Sequence, residues 1–218
     1  MKNIVMLGIQ GSGKGTQAEL LSRTLSVPII STGRLFRSEM EEGSELGQKI
    51  AEYVTGGELV PDELVCQAIA ERVAEPDARQ GFILDGFPRN ARQAEELSVT
   101  LAEDGRELSD VVYIRLSESE AMNRLTGRRV CSNRKCETNF HIEFNPPQGD
   151  PEKCDRCGSP LIQRGDDRPE AIIRRFALFN SETAPLVEYY RERGLLREID
   201  GGQSIADVAG SILEAIGD

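Results

Sequence analysis

Gly8-Ile9-Gln10-Gly11-Ser12-Gly13-Lys14-Gly15-Thr16 follows the apolar run Ile4 to Leu7 and precedes Thr16 to Leu25, where Ala18, Leu21 and Leu25 keep helical spacing. The order predicts a buried strand, a glycine-rich loop and a helix, with the loop at the helix N-terminus. There, unpaired backbone N–H groups and the positive end of the helix dipole face an anion, and glycines let the main chain approach phosphate oxygens without a Cβ in the way. Lys14 adds a full charge. A G-x4-G-K match also arises by chance in surface turns, and the strand and helix on either side of this one favour a phosphate cradle.

One detail narrows the class. The strict pattern has Ser or Thr directly after the lysine, whereas this chain has Gly15 there and Thr16 next. The form G-x-x-G-x-G-K-G-T resembles that of nucleoside monophosphate kinases. Those enzymes move a phosphoryl group between a nucleoside triphosphate and a monophosphate, so the resemblance implies a second phosphate site elsewhere in the chain.

Composition sets the outer bounds. With 218 residues and 39% hydrophobic content, the chain can build one sizeable core with small insertions. Its 26 Lys and Arg against 37 Asp and Glu give a net charge of -11, which argues against nucleic acid and membrane surfaces as partners. A small polyanionic substrate is compatible with that balance if cations converge locally. No apolar run approaches the ~20 residues needed to span a bilayer. The short N-terminal run leads straight into the phosphate loop, so it is read as the first strand and not as a signal peptide, with a cytoplasmic location expected.

Strands and helices alternate, which points to an α/β fold with a parallel sheet covered on both faces. After the first helix, Pro28 to Ile30 reads as a strand, and the hydroxyls of Ser31-Thr32-Gly33 are placed to cap the next helix. Helical patterns cover Arg34 to Glu42, Glu45 to Thr55 and Pro61 to Ala74, more than a simple crossover needs, so an inserted helical subdomain is expected. Phe82 to Asp85 is a third strand running into Gly86-Phe87-Pro88-Arg89. An acid at a strand's carboxyl end, beside a phosphate loop, suits water-mediated Mg2+ binding, and Asp85 holds that position. A helix over Ala91 to Ala102, a strand over Val111 to Leu116 and a helix over Ser119 to Thr126 follow. Beyond Arg164 the pattern predicts a long helix from Pro169 to Arg193 interrupted by Pro185, a strand over Leu195 to Ile199 and a closing helix over Ile205 to Ile216.

The segment from Arg128 to Arg164 lacks any long apolar period and holds Cys131, Cys136, Cys154 and Cys157, as C-x4-C and then C-x2-C. In a reducing compartment that pattern favours a tetrahedral zinc site over disulfides, and a metal would supply the cohesion that so thin a core cannot. Coincidental or redox-active pairs are the competing readings. His141 is a possible substitute ligand, although four thiolates already fill a structural site. Cys66, between Val65 and Ala68, reads as an inert core thiol.

The phosphate loop, Ser31-Thr32-Gly33-Arg34-Leu35-Phe36-Arg37, Asp85-Gly86-Phe87-Pro88-Arg89 with Gln93, Gly127-Arg128-Arg129 and Arg164-Gly165-Asp166-Asp167 together resemble the adenylate kinases of the bacterial, long-lid, four-cysteine type. The resemblance covers essentially the whole chain and keeps the motifs in family order. It implies a P-loop nucleoside triphosphate hydrolase-like parallel sheet of five strands flanked by helices. The expected division is a core of residues 1–31, 62–127 and 165–218, a helical monophosphate-binding insertion at 32–61 and a zinc-ribbon-like lid at 128–164. The implied reaction is ATP + AMP ⇌ 2 ADP with Mg2+, by a monomer carrying a structural Zn2+ on the four cysteines.

Carried over by motif, Gly11, Ser12, Gly13, Lys14, Gly15 and Thr16 would hold the ATP phosphates, with Arg124, Arg128 and Gln203 also on ATP. Thr32, Arg37, Leu59, Val60, Gly86, Arg89 and Gln93 would form the AMP site, joined by Arg164 and Arg175. Lys14, Arg89, Arg124, Arg128, Arg164, Arg175 and Asp85 would carry catalysis, and Asp166 and Asp167 would steady the lid arginines. An excess of cations over bases fits phosphoryl transfer, whose charge spreads over equatorial oxygens and needs positioning and electrostatic stabilisation. Two departures stand out: Arg34 occupies a position where the family commonly has an acid, and Gln10 replaces a frequent proline. The alternatives are a UMP/CMP kinase, a GTP-dependent AMP kinase or, from another class, a P-loop nucleotide switch with a zinc-ribbon binding module.

Overall fold

The computed structural model describes residues 1–56, 60–133, 136 and 138–217. Contacts gather the chain into two compact units. The first holds Met1–Gly8, Gly13–Arg115 and the chain from Phe179 onward, and the second holds Ile9–Ser12 and Leu116–Leu178.

The first unit is built on a sheet of five parallel strands: β1 (Lys2–Leu7), β2 (Ile29–Ser31), β3 (Gly81–Asp85), β4 (Asp110–Arg115) and, from the C-terminal part, β8 (Leu196–Asp200). Their spatial order is β2-β3-β1-β4-β8, so β1 is central, with Ile4 level with Ile83 on one side and Asp110 on the other. Successive side chains of a strand point to opposite faces, and helices cover both, which is why these segments read as unbroken apolar runs. Val5, Leu7, Phe82, Leu84 and Val111 pack with Ile69, Leu97, Leu101, Leu186 and Tyr190. Those partners come from α4 (Asp62–Val73), α5 (Ala91–Glu103) and α8 (Pro185–Glu192). On the opposite face Ile4, Met6, Ile83, Val112 and Ile114 meet Ala18 and Leu21 of α1 (Lys14–Leu25) and Val208 and Ile212 of α9 (Ile205–Ile216).

One local expectation is corrected. Helix α2 (Thr32–Glu42) begins two residues before Arg34, and although Ser31 occupies its N-cap, the Ser31 side chain makes no capping bond. The Thr32 hydroxyl donates instead to the carbonyls of Gly86 (3.0 Å) and Asp85 (3.4 Å), tying the helix start to the end of β3. The C-terminal helical run is interrupted at Pro185 as expected, and the break falls just ahead of the proline. Between α7 (Pro169–Leu178) and α8 lies a wider π-helical turn, Phe179–Thr183, closed by the Ala184 N–H on the Phe179 carbonyl at 2.8 Å. Pro185 has no N–H to give and its ring needs space against the preceding turn, so the chain widens before the proline.

The second unit contains α6 (Glu118–Thr126), α7 and a small antiparallel sheet in the order β6-β5-β7. Its strands are β5 (Arg128–Cys131), β6 (Asn139–His141) and β7 (Leu161–Ile162). Apolar burial is thin here, with Cys131, Phe140 and Cys154 at the centre and Cys136 and Leu161 around them. No described helix is long and apolar enough to cross a membrane.

Helix α2 packs on α3 (Glu45–Gly56) through Gly47, where a β-carbon would lie 1.9 Å from the Glu39 carbonyl oxygen. Because the obstacle is backbone, the helices themselves must separate. Gly47→Ala is therefore expected to destabilise the protein by about 3 kcal/mol, the upper end for overpacking, read as a lowered midpoint in thermal or urea unfolding.

Candidate functional site

In open parallel sheets, ligands bind beyond the carboxyl ends of the strands, where the chain connections diverge. Three chemically suggestive segments lie at that edge: the loop after β1, Thr32 after β2, and Asp85-Gly86 at the end of β3. In the loop, Gly8, Gly11 and Gly13 all have positive φ, at 145°, 87° and 101°. Gly11 also sits too close to α6 for any side chain, since a β-carbon would come within 2.8 Å of the Ala121 carbonyl oxygen. The Ser12 N–H closes a turn on the Ile9 carbonyl at 3.1 Å, while the Ser12 hydroxyl is buried without a protein partner. Helix α1 starts at Lys14, whose ammonium donates to the Gly8 carbonyl at 2.5 Å, with Gly15 and Thr16 in the same first turn. A β-carbon on Gly15 would lie 3.7 Å from Asp85 Oδ2, so the carboxylate stands beside the helix start.

Around Gly86 the first unit builds a hydrogen-bonded cluster. The Gly86 carbonyl accepts from the Thr32 hydroxyl and from Arg89 Nε, at 3.0 and 2.9 Å. Gly86 itself has φ 86° and would press a β-carbon to 2.8 Å from Thr32 Oγ1. Helix α5 is capped by Asn90, whose side chain accepts the Gln93 N–H at 2.9 Å. The Gln93 amide is engaged at both ends: Oε1 accepts the Arg89 N–H at 2.7 Å, and Nε2 donates to Asp62 Oδ1 at 2.6 Å. Sequence reasoning missed Asp62, because an acid in the first turn of a helix is ordinary dipole compensation. Arg37 is half-buried, with Nη1 3.5 Å from where a Gly33 β-carbon would be. Val60 packs against the core, Gln203 is exposed in the turn before α9, and Leu59 lies outside the described residues.

The other arginines belong to the second unit. Arg128 at the start of β5 forms a two-pronged pair with the fully buried Asp167, Nε to Oδ2 at 2.8 Å and Nη2 to Oδ1 at 2.5 Å. Arg175, in the last turn of α7, reaches Asp166 Oδ2 at 3.0 Å and Asp167 Oδ1 at 3.7 Å. The Asp166-Asp167 pair thus holds Arg128 and Arg175 together. Arg164 immediately precedes the short helical turn Gly165–Asp167, and Arg124 lies in the last turn of α6. Arg34 is compensated: its Nη2 pairs with Glu19 at 3.3 Å, both side chains being exposed.

The sulfur atoms of Cys131, Cys136, Cys154 and Cys157 all lie within 4.8 Å of one another. Cys131 and Cys157 approach to 3.3 Å, and Cys136 and Cys154 to 3.7 Å. A tetrahedral ion with metal–sulfur bonds of ~2.3 Å sets sulfur pairs ~3.8 Å apart, so the donor set fits one metal ion. The two knuckles repeat one arrangement. The first cysteine donates its N–H to the carbonyl of a hydroxyl residue, Cys131 to Thr138 at 3.0 Å and Cys154 to Ser159 at 2.9 Å. That same residue then bonds the second sulfur, as with Thr138 Oγ1 at 3.1 Å from Cys136. The hydroxyl and backbone N–H of Ser159 pull the Cys157 thiol down to about 6, whereas burial pushes Cys131 up to about 12. His141 stands apart from this cluster. Its ring accepts the N–H groups of Glu143 and Phe144 on Nδ1, at 3.0 and 3.1 Å, and covers Gly127, where a β-carbon would fall 2.3 Å from Nε2. Cys66 is half-buried on α4 and its thiol is pushed up to about 11 by burial.

A central parallel strand that delivers a glycine-rich loop and a lysine to a helix N-terminus defines a P-loop phosphotransferase. The family model described as adenylate kinase matches residues 6–195. The chain is 47% identical to the adenylate kinase of Moorella thermoacetica over 98% of its own length and 97% of that protein. It is 46% identical to that of Desulforudis audaxviator over 99% of each chain, and 43% identical to that of Staphylococcus epidermidis over 98% of each. The chain belongs to the adenylate kinase family.

Thr138→Val keeps the knuckle's backbone bonds but removes the hydroxyl on Cys136. Outer hydrogen bonds of this kind carry about tenfold in metal affinity, so a zinc-loaded sample of the variant is expected to release zinc to a colorimetric chelator at correspondingly lower chelator concentration than the zinc-loaded unaltered chain.

Proposed function

We propose that this chain catalyses ATP + AMP ⇌ 2 ADP, holding the triphosphate on the loop of Gly11 to Thr16 and the monophosphate beside Gly86. The observation that carries the reading is the cluster of Thr32, Gly86, Arg89 and Gln93 at the same sheet edge as the phosphate loop. Loop N–H groups and Lys14 neutralise triphosphate oxygens, and the buried, unpartnered Ser12 hydroxyl is a further donor for them. Arg37 and Arg89 grip the AMP phosphate, Thr32 and Val60 line the base pocket, and Gln93 meets the adenine edge. Arg124, Arg128, Arg164 and Arg175 stabilise charge on the transferring group. Guanidinium suits that task because it stays charged and presents a planar fork of donors to phosphate.

Asp85, with its carboxylate beside Gly15, is the residue to hold Mg2+ through water. Bound there, the ion would neutralise charge on the phosphate oxygens. On the four cysteines Zn2+ is the fitting ion, since tetrahedral tetrathiolate sites are its commonest structural form, and its role is to stiffen the lid. Residues 32–61 and 128–164 act as covers over AMP and ATP, excluding the water that would otherwise compete for the phosphoryl group. The enzyme works as a cytoplasmic monomer in this reading.

ADP formation from Mg-ATP is expected only with AMP, and not with UMP, CMP or no acceptor. Arg89→Ala should lower that rate about 100-fold or more, as loss of one group stabilising transition-state charge does. Equal ATP loss without acceptor, or preference for a pyrimidine, would overturn the assignment. Chelation of the zinc is expected to lower the melting temperature while the molecules that stay folded keep most of their turnover; abolished turnover in a folded protein would assign the metal a different role.

A further inference from the structure

The bonds around Gln93 determine which way its side-chain amide faces. Asp62 is the first residue of α4, and both its oxygens accept amide N–H groups: Oδ1 from Gln93 Nε2 at 2.6 Å and Oδ2 from Asn90 Nδ2 at 3.0 Å. A carboxylate can only accept here, so the nitrogen end of the Gln93 amide must face it. The Arg89 backbone N–H can only donate, so the oxygen end must face that group, 2.7 Å away. Reversing the amide would set oxygen against carboxylate and NH2 against N–H, losing both bonds at a residue only 4% exposed. Asn90 closes the arrangement by accepting the Gln93 N–H on its own side-chain oxygen.

We propose that Asp62 is a positioning residue that makes the site select adenine over a 6-oxopurine by locking the orientation of the Gln93 amide. The proposal rests on the reading of Gln93 as the group that meets the base. An amide has two hydrogens and two lone pairs, and the bonds to Asp62 and Arg89 use one of each. The remaining hydrogen and lone pair match an edge that offers an acceptor and a donor, as adenine does with N1 and its 6-amino group. Hypoxanthine and guanine offer the reverse, N1–H and O6. A freely turning glutamine would suit either edge; one held by a carboxylate meets the 6-oxopurine with like against like, which is selection by an unfavourable alternative.

Inosine monophosphate (IMP) is the probe, since it differs from AMP only at this edge. The experiment compares kcat/KM for AMP and IMP at saturating Mg-ATP in the unaltered chain, Asp62→Asn and Asp62→Ala, with thermal unfolding of each. The AMP-to-IMP ratio is expected to fall about tenfold or more in Asp62→Ala, the worth of one hydrogen bond to a charged group. The change should come mainly through KM for the monophosphate, with KM for ATP unmoved. Asp62→Asn, which keeps an acceptor oxygen, should lose less. If Asp62→Ala does not fold, Asp62→Asn and Asp62→Ser decide by the same ratio. Rates that fall in equal proportion for AMP and IMP, or a ratio that does not change, would overturn the proposal and leave Asp62 a purely structural acid. Absence of AMP-dependent ADP formation in the unaltered chain would instead show that the reaction itself is misread.

Discussion

Burial of β1 on both faces and both edges is the constraint on which the rest depends. Ile4, Val5 and Met6 are essentially inaccessible, and the strand is hydrogen-bonded to β3 on one side and β4 on the other. A segment so enclosed cannot shift register without exposing its apolar residues and breaking two ladders at once. Its carboxyl end is therefore a fixed point within the first unit. Parallel pairing extends the consequence, because it brings the ends of β2 and β3 to the same edge, where Thr32, Asp85 and Gly86 meet.

Local chemistry then orders the cations of the second unit. Guanidinium groups brought close together repel one another and sample many rotamers. Here Asp167, wholly buried, takes Arg128 by a two-pronged bond and approaches Arg175, while Asp166 secures Arg175 from outside. Leaving that buried carboxylate unpaired would be costly, so the pairing also fixes the backbone between Arg164 and α7. Arg34 is paired likewise at the surface, where Glu19 offsets its charge.

The second unit has a small apolar core, with Cys131, Phe140 and Cys154 at its centre. Two knuckles of unequal length, C-x4-C and C-x2-C, converge on the same hydrogen-bonding plan, with Thr138 and Ser159 in equivalent places. Each hydroxyl residue ties down one cysteine through its carbonyl and another through its side chain, which orients both sulfurs. Metal sites depend on such outer partners for ligand orientation. Gly127 adds a steric condition, since only a residue without a side chain leaves room for the His141 ring.

Periodicity, glycine placement and cysteine spacing by themselves indicated the α/β class, the phosphate loop, the five strands of the main sheet and a four-cysteine metal-site pattern, because each is written in short local stretches of sequence. The cluster was legible from spacing alone, and the sheet from unbroken apolar runs such as Phe82 to Leu84. Only the tertiary structure decided what long-range hydrogen bonds and close approaches decide. It moved Thr32 from helix capping to the Gly86 carbonyl, opened a wide turn ahead of Pro185, set Gly47 against Glu39 and joined Asp62 to Gln93 across 31 positions of sequence. The physical reason is one of range. Burial pattern and backbone preference act within a few residues and can be read from neighbours, whereas the partner of a polar side chain is selected by which distant backbone the fold brings within about 3 Å.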